Sequence, residues 1–192
     1  LDGTTDITRT YPLGELTEDE RLFYTWTLQC HIDIAKAVWL DYCDCHMLDT
    51  IAREPLWRHL INYRCGTGHS VSHVGNVHEG PHALNGRNTT VFKPGMIVTD
   101  EPGVYEGGVV GIRIENELEC YHKASNQYGE FLAFRPVMFV PIATSPIVPG
   151  VLSRDELDWL NAYHREVFEK LAPRLTEEER DWLAKKCAAI GA

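Results

Sequence analysis

Long hydrophobic runs, clusters of basic residues and low-complexity stretches are all missing from this sequence of 192 residues. The longest apolar runs, such as residues 137–142, are far shorter than the roughly 20 residues that span a bilayer. The first residues also lack the basic and apolar pattern of a secretion signal. We therefore expect no membrane partner and a cytoplasmic location. The formal net charge of -10 argues against a nucleic-acid partner, because phosphate binding needs clustered Lys and Arg.

Cysteine is present without a recognisable metal or disulfide pattern. The six cysteines are irregularly spaced, and the group Cys43, Cys45 and His46 is too tight to wrap one tetrahedral zinc ion without ligands from elsewhere. For a cytosolic chain we expect free, reduced thiols. Hydrophobic residues make up 44% of the sequence and charged residues 24%, which predicts a soluble globular domain with a sizeable core.

Helix signals occur at four places. Thr17 and Glu20 form a capping box, and apolar residues then recur at helical spacing for about twenty residues to Trp39. Asp44 is expected to cap a second, shorter helix that ends close to Pro55. Two further capping boxes, at residues 153–156 and 176–179, predict two C-terminal helices. His31 and His46 are interpreted as surface or packing residues.

Strand signals lie between and before these helices. Residues 4–11 are rich in strand-favouring residues and follow a hairpin-turn signal at residues 1–3, so we expect the sequence to start within a β-unit that lacks its first arm. Residues 112–120 alternate between apolar and polar side chains, as a strand should. Residues 131–142 predict a last strand interrupted at Pro136, and the turn-rich residues 82–93 predict a loop.

Polar residues from three separate segments make sense together. His69 follows a glycine-rich turn, and Glu101 ends an apolar run that Pro102 and Gly103 stop. A period of two places Arg113, Glu115, Glu117 and Glu119 on one face of the 112–120 strand. Like carboxylates on one face repel unless solvent, Arg113 or a cation compensates them.

A metal site is the interpretation favoured by this grouping. For any one of His69, Glu101 or Glu115 alone, an ordinary satisfied polar residue is the more common situation, and Asp6 alone would be expected to be exposed. Together, three carboxylates and one imidazole suit manganese, cobalt or zinc. His78, beside a Glu-Gly-Pro turn, is better placed to hydrogen-bond a substrate than to complete the same ligand set.

The motifs that carry these residues resemble one family in their order along the chain. They are Asp-Gly-Thr-Thr-Asp-Ile-Thr-Arg-Thr at residues 2–10, Gly-Thr-Gly-His at 66–69, Asn-Val-His-Glu-Gly-Pro at 76–81, Glu-Pro-Gly at 101–103 and Gly-Ile-Arg-Ile-Glu-Asn at 111–116. The sequence resembles X-prolyl aminopeptidase (aminopeptidase P) over nearly its whole length. The resemblance implies an α+β fold of the pita-bread type, with a curved antiparallel sheet flanked by helices. Residues 1–150 would form part of the catalytic domain, and residues 151–192 a helical extension packed on it.

The same resemblance implies a function and a ligand set. Asp6, His69, Glu101 and Glu115 would bind metal, with Asp6 and Glu115 shared between two ions, most simply manganese, with zinc or cobalt as alternatives. Glu101, Glu115, His78 and Arg113 would serve catalysis, His78 near the scissile carbonyl and Arg113 as a carboxylate partner. The implied reaction removes an N-terminal residue that precedes proline. Its partners would be peptides with proline at the second position, and a homodimer is compatible with it.

Several departures from the family pattern limit this interpretation. A further ligand aspartate of the family lies upstream of Leu1, so this stretch resembles a C-terminal catalytic piece that we expect to be inactive on its own and to hold at most one ion well. Cys65 stands where the family usually has histidine, and Ser70 and Ser72 replace glycines. Arg135 stands where an acidic residue is usual. A catalytically silent pita-bread domain that binds peptides or proteins is the alternative.

Overall fold

The computed structural model describes residues 3–191 and has an α+β architecture, as predicted. The helices are α1 Glu18–Ala35, α2 Cys45–Trp57, α3 Arg154–Leu171 and α4 Glu177–Lys186, with a 3-10 turn at Ala172–Arg174. The strands are β1 Val38–Leu40, β2 Gly68–His69, β3 Ala83–Leu84, β4 Ile97–Asp100, β5 Gly103–Glu106, β6 Val110–Arg113, β7 Asn116–Asn126 and β8 Gly129–Pro136.

The helix starts follow the capping signals of the sequence. Thr17, Ser153 and Thr176 each form a complete capping box at the start of α1, α3 and α4. The Asp44 side chain accepts a hydrogen bond from the backbone N–H of Met47 at the start of α2. These contacts satisfy backbone donors that would otherwise lack partners in the first turn.

The main sheet has four antiparallel strands in the order β1-β8-β7-β4, and β2–β3 and β5–β6 form separate two-stranded sheets. In the β4–β7 pair, Asp100 lies opposite Asn116 and Thr99 lies opposite Glu117. This register brings the C-terminal end of β4, which leads into Glu101, beside the N-terminal end of β7, which follows Glu115.

Two hydrophobic clusters hold the sheet and helices together. One packs α2 against the main sheet and includes Leu48, Val98 and Leu118. The other packs α1 against α3, through side chains such as Leu28 and Leu160. The polar ends of β4 and β7 are thereby attached to two packed layers, which fixes their relative positions.

The prediction of one helix to Trp39 is wrong at its C-terminal end. Helix α1 ends at Ala35, and Val38 and Trp39 form β1, in which they lie opposite Ala133 and Leu132 of β8. Branched and aromatic side chains fit a pleated sheet well. The pairing partner is about a hundred residues away along the chain, so local periodicity does not reveal it.

The prediction of one strand over residues 112–120 is also wrong. Arg113 pairs with Gly103 at the end of β6, whereas Asn116 pairs with Asp100 at the start of β7. The two halves therefore belong to different sheets, and Glu115 lies in the break between them. This break gives Glu115 a backbone N–H that bonds outside the ladder, to the carbonyl oxygen of Thr8 at 3.0 Å.

Three further boundaries differ from the prediction. Within residues 3–191, residues 4–11 form no strand; Asp6, Thr8 and Thr10 make isolated hydrogen bonds to residues 113–117. Residues 1 and 2 of the expected hairpin turn lie outside the described part. The last strand ends at Pro136, which has no N–H for a ladder. The expected loop at residues 82–93 contains the short strand β3.

The structure also bears on the expectations for the cysteines, a membrane span and two histidines. All six cysteines are free thiols, as predicted. No helix within residues 3–191 is both long and apolar enough to span a bilayer. His46 is exposed, but His31 is fully buried, so of the two interpretations only packing applies to His31.

Candidate metal centre

His69 is held with its Nε2 atom facing carboxylates. Its backbone N–H donates to Thr99 Oγ1 at 2.9 Å, and its Nδ1 lies 3.1 Å from the carbonyl oxygen of Ser70. A Cβ on Gly68 would come within 1.7 Å of the carbonyl oxygen of Thr99, so the glycine before His69 permits this close approach of β2 to β4. Nε2 is the ring nitrogen left to face the cluster.

The side chains of Asp6 and Glu101 meet at this nitrogen. His69 Nε2 lies 3.4 Å from Asp6 Oδ2 and 3.1 Å from Glu101 Oε1. Burial by itself would lower the pKa of His69, but the hydrogen bond and charge of Glu101, with help from Asp6, raise it overall. The pocket around the imidazole is therefore strongly negative and favours a cation.

Glu101 has fixed partners on both of its oxygens. Thr99 Oγ1 donates to Glu101 Oε1 at 3.0 Å, and Arg113 Nη1 lies 3.0 Å from Glu101 Oε2. Burial would raise the pKa of Glu101, but His69 and Arg113 outweigh it and lower the pKa. Arg113 in turn donates through Nε to the Tyr105 hydroxyl at 2.7 Å. Glu101 is therefore kept ionised and oriented.

Glu115 is the most deeply buried carboxylate of the cluster. Only 1% of its surface is exposed. Thr8 Oγ1 donates to Glu115 Oε2, whereas Oε1 is buried without a hydrogen-bond partner. Burial, followed by the negative charges of Glu101 and Asp6, raises the pKa of Glu115 to about 7. A buried carboxylate oxygen without a donor is the kind of atom that a metal ion satisfies.

Glu117 belongs to the same cluster, and the sequence analysis did not include it among the ligands. It is 5% exposed, and its Oε1 accepts a hydrogen bond from the backbone N–H of Asp6 at 2.8 Å. Burial and the charge of Asp6 raise the pKa of Glu117 against the opposing effect of that hydrogen bond. The predicted alternation of residues 112–120 placed Glu117 on the same face as Glu115, which was the available sign of its role. That alternation does not show which segment of the chain packs on this face.

His78 lies at the exposed side of the cluster. Its ring centroid is 4.1 Å from that of His69. Ligand-type atoms of Asp6, His69 and His78 lie within 4.8 Å of one another. The side chain is exposed rather than packed in the core, so it can reach either a bound ion or a substrate.

The donor set of this cluster fits a divalent metal. Asp6, Glu101, Glu115 and Glu117 bring four carboxylates together, and the nearby cationic partners are Arg113 and the His69 imidazole. Oxygen-rich sets with one imidazole suit manganese, zinc or cobalt. Of the four residues that the sequence analysis selected as ligands, Asp6 and Glu101 meet at His69 Nε2. The fourth, Glu115, feels the negative charges of Glu101 and Asp6, and its buried Oε1 lacks a hydrogen-bond partner.

A second buried polar pair, not anticipated from the sequence, lies behind the cluster. His31 Nδ1 lies 2.9 Å from Asp100 Oδ2, and both side chains are fully buried. Burial raises the pKa of Asp100 to about 6 despite the opposing influence of His31. Asp100 directly precedes Glu101, so this pair supports the end of the strand that carries a ligand.

Comparison with known proteins assigns the family. The family model described as metallopeptidase family M24 matches residues 1–121, and the model for the C-terminal region of peptidase M24 matches residues 130–190. The chain belongs to metallopeptidase family M24. This M24 chain has the pita-bread fold of its family, as the sequence resemblance predicted.

Similar M24 proteins come from fungi and plants. The chain is 40% identical over 198 residues to a probable Xaa-Pro aminopeptidase P of Laccaria bicolor, covering 99% of this chain and 31% of the relative. It is 43% identical over 189 residues to aminopeptidase P2 of Arabidopsis thaliana, covering 95% and 27%. The chain therefore spans about a third of the length of the curated relatives it matches.

Solved M24 structures give the same assignment. An X-prolyl aminopeptidase from Caenorhabditis elegans, described as a cytosolic enzyme with a di-nuclear active site, superposes with a TM-score of 0.91 at 38% identity, covering 98% of this chain and 32% of the other. A prolidase from Pyrococcus furiosus superposes with a TM-score of 0.59 at 28% identity, covering 69% and 36%. The metallopeptidase family and the di-nuclear site of the C. elegans enzyme support the use of divalent metals.

Proposed function

We propose that this M24 chain supplies the catalytic site of a metal-dependent Xaa-Pro aminopeptidase, which removes an N-terminal residue that precedes proline. One observation carries the proposal: Asp6 and Glu101 meet at His69 Nε2, and the buried Glu115, whose Oε1 lacks a partner, feels the charges of both carboxylates. The relatives named as Xaa-Pro aminopeptidases supply the substrate class. Because the chain spans about a third of them, the activity is proposed for the protein that contains this site.

The ligands would be Asp6, His69, Glu101 and Glu115, and manganese is the proposed metal, with zinc or cobalt as alternatives. When bound, divalent ions lower the pKa of a coordinated water and polarise a carbonyl oxygen. Asp6 and Glu115 would be the shared carboxylates. Glu117 would keep Asp6 in place through the Asp6 backbone N–H.

The remaining steps use groups of the chain itself. Either Glu101 or Glu115 would handle the proton, and Glu115, with a pKa raised to about 7, is the better suited to accept and return one near neutral pH. Glu101, whose pKa is lowered by His69 and Arg113, would stay ionised. His78, exposed beside His69, would donate a hydrogen bond to the oxyanion that forms at the scissile carbonyl. Arg113 would hold Glu101 in position during this exchange.

Location, domain division and partners are proposed as well. A cytoplasmic location is supported by the C. elegans enzyme, which is described as cytosolic. The division into residues 1–150 and residues 151–192, a homodimer, and inactivity of this stretch on its own stay predictions. The proposed partners are peptides with proline at the second position.

The test of the function is a peptide-cleavage assay on the full-length protein. Metal-free protein is incubated with Mn²⁺, Zn²⁺ or Co²⁺ and with two tripeptides, Ala-Pro-Ala and Ala-Ala-Ala. We expect release of the first residue from Ala-Pro-Ala only, and only with metal. Equal cleavage of both peptides would refute the proline requirement, and no cleavage with any of the three metals would refute the catalytic assignment.

One observation favours the silent peptide-binding alternative. Cys65, which stands where the family usually has histidine, is half-buried, and burial raises the pKa of its thiol. A neutral thiol does not replace histidine as a proton carrier. If the full-length protein binds Ala-Pro-Ala without cleaving it, and Cys65→His confers cleavage, the silent domain is the correct description of the natural protein.

We expect His78→Ala to lower kcat by roughly 10²- to 10³-fold, the usual effect of removing one oxyanion donor, with metal affinity unchanged. His73→Ala is the matched control, because His73 is an exposed histidine of the same loop. The measurements are kcat and KM for Ala-Pro-Ala and Mn²⁺ affinity by calorimetry. A loss of Mn²⁺ affinity as large as that of His69→Gln would show that His78 is a ligand instead.

A further inference from the structure

Arg9 hydrogen-bonds to Glu115, the residue that carries the buried carboxylate of the proposed metal centre. Its Nη1 donates to the backbone carbonyl oxygens of Thr8, at 2.9 Å, and Glu115. The backbone N–H of Glu115 donates in turn to the carbonyl oxygen of Thr8, and the Thr8 hydroxyl donates to the Glu115 carboxylate. Glu115 is thus fixed through its N–H, its carbonyl and its side chain by two consecutive residues of the N-terminal segment.

The other terminal nitrogen of the same guanidinium, Nη2, contacts helix α3. Arg9 Nη2 donates to Asn116 Oδ1 at 2.7 Å, to the carbonyl oxygen of Val140 at 2.7 Å and to the Tyr163 hydroxyl at 2.9 Å. The Tyr163 hydroxyl also lies 3.2 Å from Asn116 Oδ1. Tyr163 is 3% exposed, so its hydroxyl is a buried partner. Arg9 therefore joins the N-terminal segment, the start of β7 and α3.

We propose that Arg9 and Tyr163 are positioning residues for the metal ligands Asp6 and Glu115, and that α3 thereby takes part in building the metal centre. The inference deepens the proposed function and rests on it for the identity of the ligands. Arg9 donates directly to the carbonyl oxygen of Glu115 and, through the carbonyl oxygen of Thr8, fixes the segment that carries Asp6 three residues earlier. Tyr163 belongs to the stretch that the C-terminal family model matches. Without the contact to Arg9, the role of this stretch would be packing alone.

The contacts of Arg9 require the shape of an arginine side chain and not only its positive charge. The guanidinium donates to carbonyl, amide and hydroxyl oxygens that lie in different directions. A planar group with five N–H donors can satisfy such a set, whereas the single ammonium of lysine cannot. Partners outside the ligand set of a metal ion typically change metal affinity by 10- to 100-fold when removed.

The other two ligands provide an internal comparison. His69 and Glu101 are held by Thr99, which accepts from the His69 backbone N–H and donates to the Glu101 carboxylate. Neither of these contacts involves Arg9 or Tyr163. Loss of the Arg9 contacts should therefore disturb the Asp6 and Glu115 side of the site and leave the His69 side intact.

The test measures metal binding in the full-length protein. The variants are Tyr163→Phe, which keeps the ring that stacks on Trp159, Arg9→Lys and the double variant. The control is Tyr24→Phe, because Tyr24 is another buried tyrosine and its hydroxyl donates to the carbonyl oxygen of Ala143. Mn²⁺ affinity is measured by calorimetry, the Co²⁺ absorption spectrum reports ligand geometry, and thermal unfolding of the metal-free protein reports folding.

We expect Arg9→Lys to weaken Mn²⁺ binding by about 10- to 100-fold and Tyr163→Phe by up to about tenfold. Both should alter the Co²⁺ spectrum while the metal-free protein stays folded. Because both residues act through one network, the double variant should lose less than the product of the two single losses. Tyr24→Phe should bind Mn²⁺ as the wild type does.

Wild-type Mn²⁺ affinity and Co²⁺ spectrum in Tyr163→Phe and Arg9→Lys would overturn the inference, and so would losses no larger than that of Tyr24→Phe. If Arg9→Lys does not fold, Tyr163→Phe alone decides between these outcomes. These readouts do not depend on peptide cleavage. A wild-type protein that binds Mn²⁺ but cleaves no Xaa-Pro peptide would contradict the proposed function and leave the positioning inference standing.

Discussion

We expect Glu115→Gln to abolish Xaa-Pro hydrolysis while making the metal-free protein more stable at pH 8. The amide removes the negative charge and one metal-binding oxygen from the centre of the cluster. Metal ions supply several kcal/mol of transition-state stabilisation, and each 1.36 kcal/mol is a factor of ten in rate. The expected loss of kcat is therefore at least about 10³-fold, together with a large loss of Mn²⁺ affinity.

The gain in stability follows from the raised pKa of Glu115. Burial, Glu101 and Asp6 raise this pKa from 4.5 to about 7, so between those values the folded state holds a proton that the unfolded state has released. The free energy of unfolding therefore falls as pH rises from 4.5 to 7. At pH 8 the ionised carboxylate costs ~3 kcal/mol, from the size of the shift, and glutamine removes that cost.

Urea unfolding in the presence of EDTA, at pH 4 and pH 8, measures this effect. The gain of Glu115→Gln over the wild type should be present at pH 8 and small at pH 4, where the wild-type carboxyl is protonated in both states. Glu119→Gln is the control, because Glu119 lies in β7 four residues after Glu115 and pairs with Arg135. Unchanged Mn²⁺ affinity in Glu115→Gln, or lower stability than the wild type at pH 8, would contradict our description of this carboxylate.

Part of the carboxylate cluster could be predicted because Glu101 and His69 are marked by their local sequence. Glu101 stands where an apolar run meets Pro102, and His69 follows glycines that allow β2 to approach Thr99. Strand ends and glycine turns are local features, and the carboxylates gathered there need compensation wherever the chain folds. The resemblance to aminopeptidase P added Asp6, whose isolated position in a polar segment would have favoured exposure.

The supporting residues could not be predicted because they depend on pairing between distant segments. Arg9 acquires its role from contacts with Asn116 and Tyr163, and Glu117 from the Asp6 backbone. No periodicity in one segment shows which other segment will cover it. The division of residues 112–120 between two sheets has the same cause, since its halves pair with Gly103 and Asp100.

We expect His31→Leu to lower the free energy of unfolding by ~3–5 kcal/mol at pH 8, the usual result of removing one partner from a buried charged pair. Leucine has a similar volume, so the loss reflects the unpaired buried charge of Asp100 more than a cavity. Asp100 is fully buried, and burial already raises its pKa from 3.8 to about 6 with His31 present. Without His31 this pKa rises further.

The pH dependence identifies the cause of that loss. Because the folded pKa of Asp100 lies above its unfolded value, its contribution to stability falls as pH rises between the two values, and His31→Leu extends this fall to higher pH. The deficit of the variant, measured by urea unfolding, should therefore be larger at pH 8 than at pH 5.

The matched comparison is His31→Leu in a chain that also carries Asp100→Asn, where no acid remains to titrate at position 100. There the growth of the deficit with pH should disappear. If the deficit of His31→Leu is the same at both pH values, the pair contributes through packing and not through charge. Since Asp100 directly precedes Glu101, the single variant should also weaken Mn²⁺ binding, which links the buried pair to the ligand that it supports.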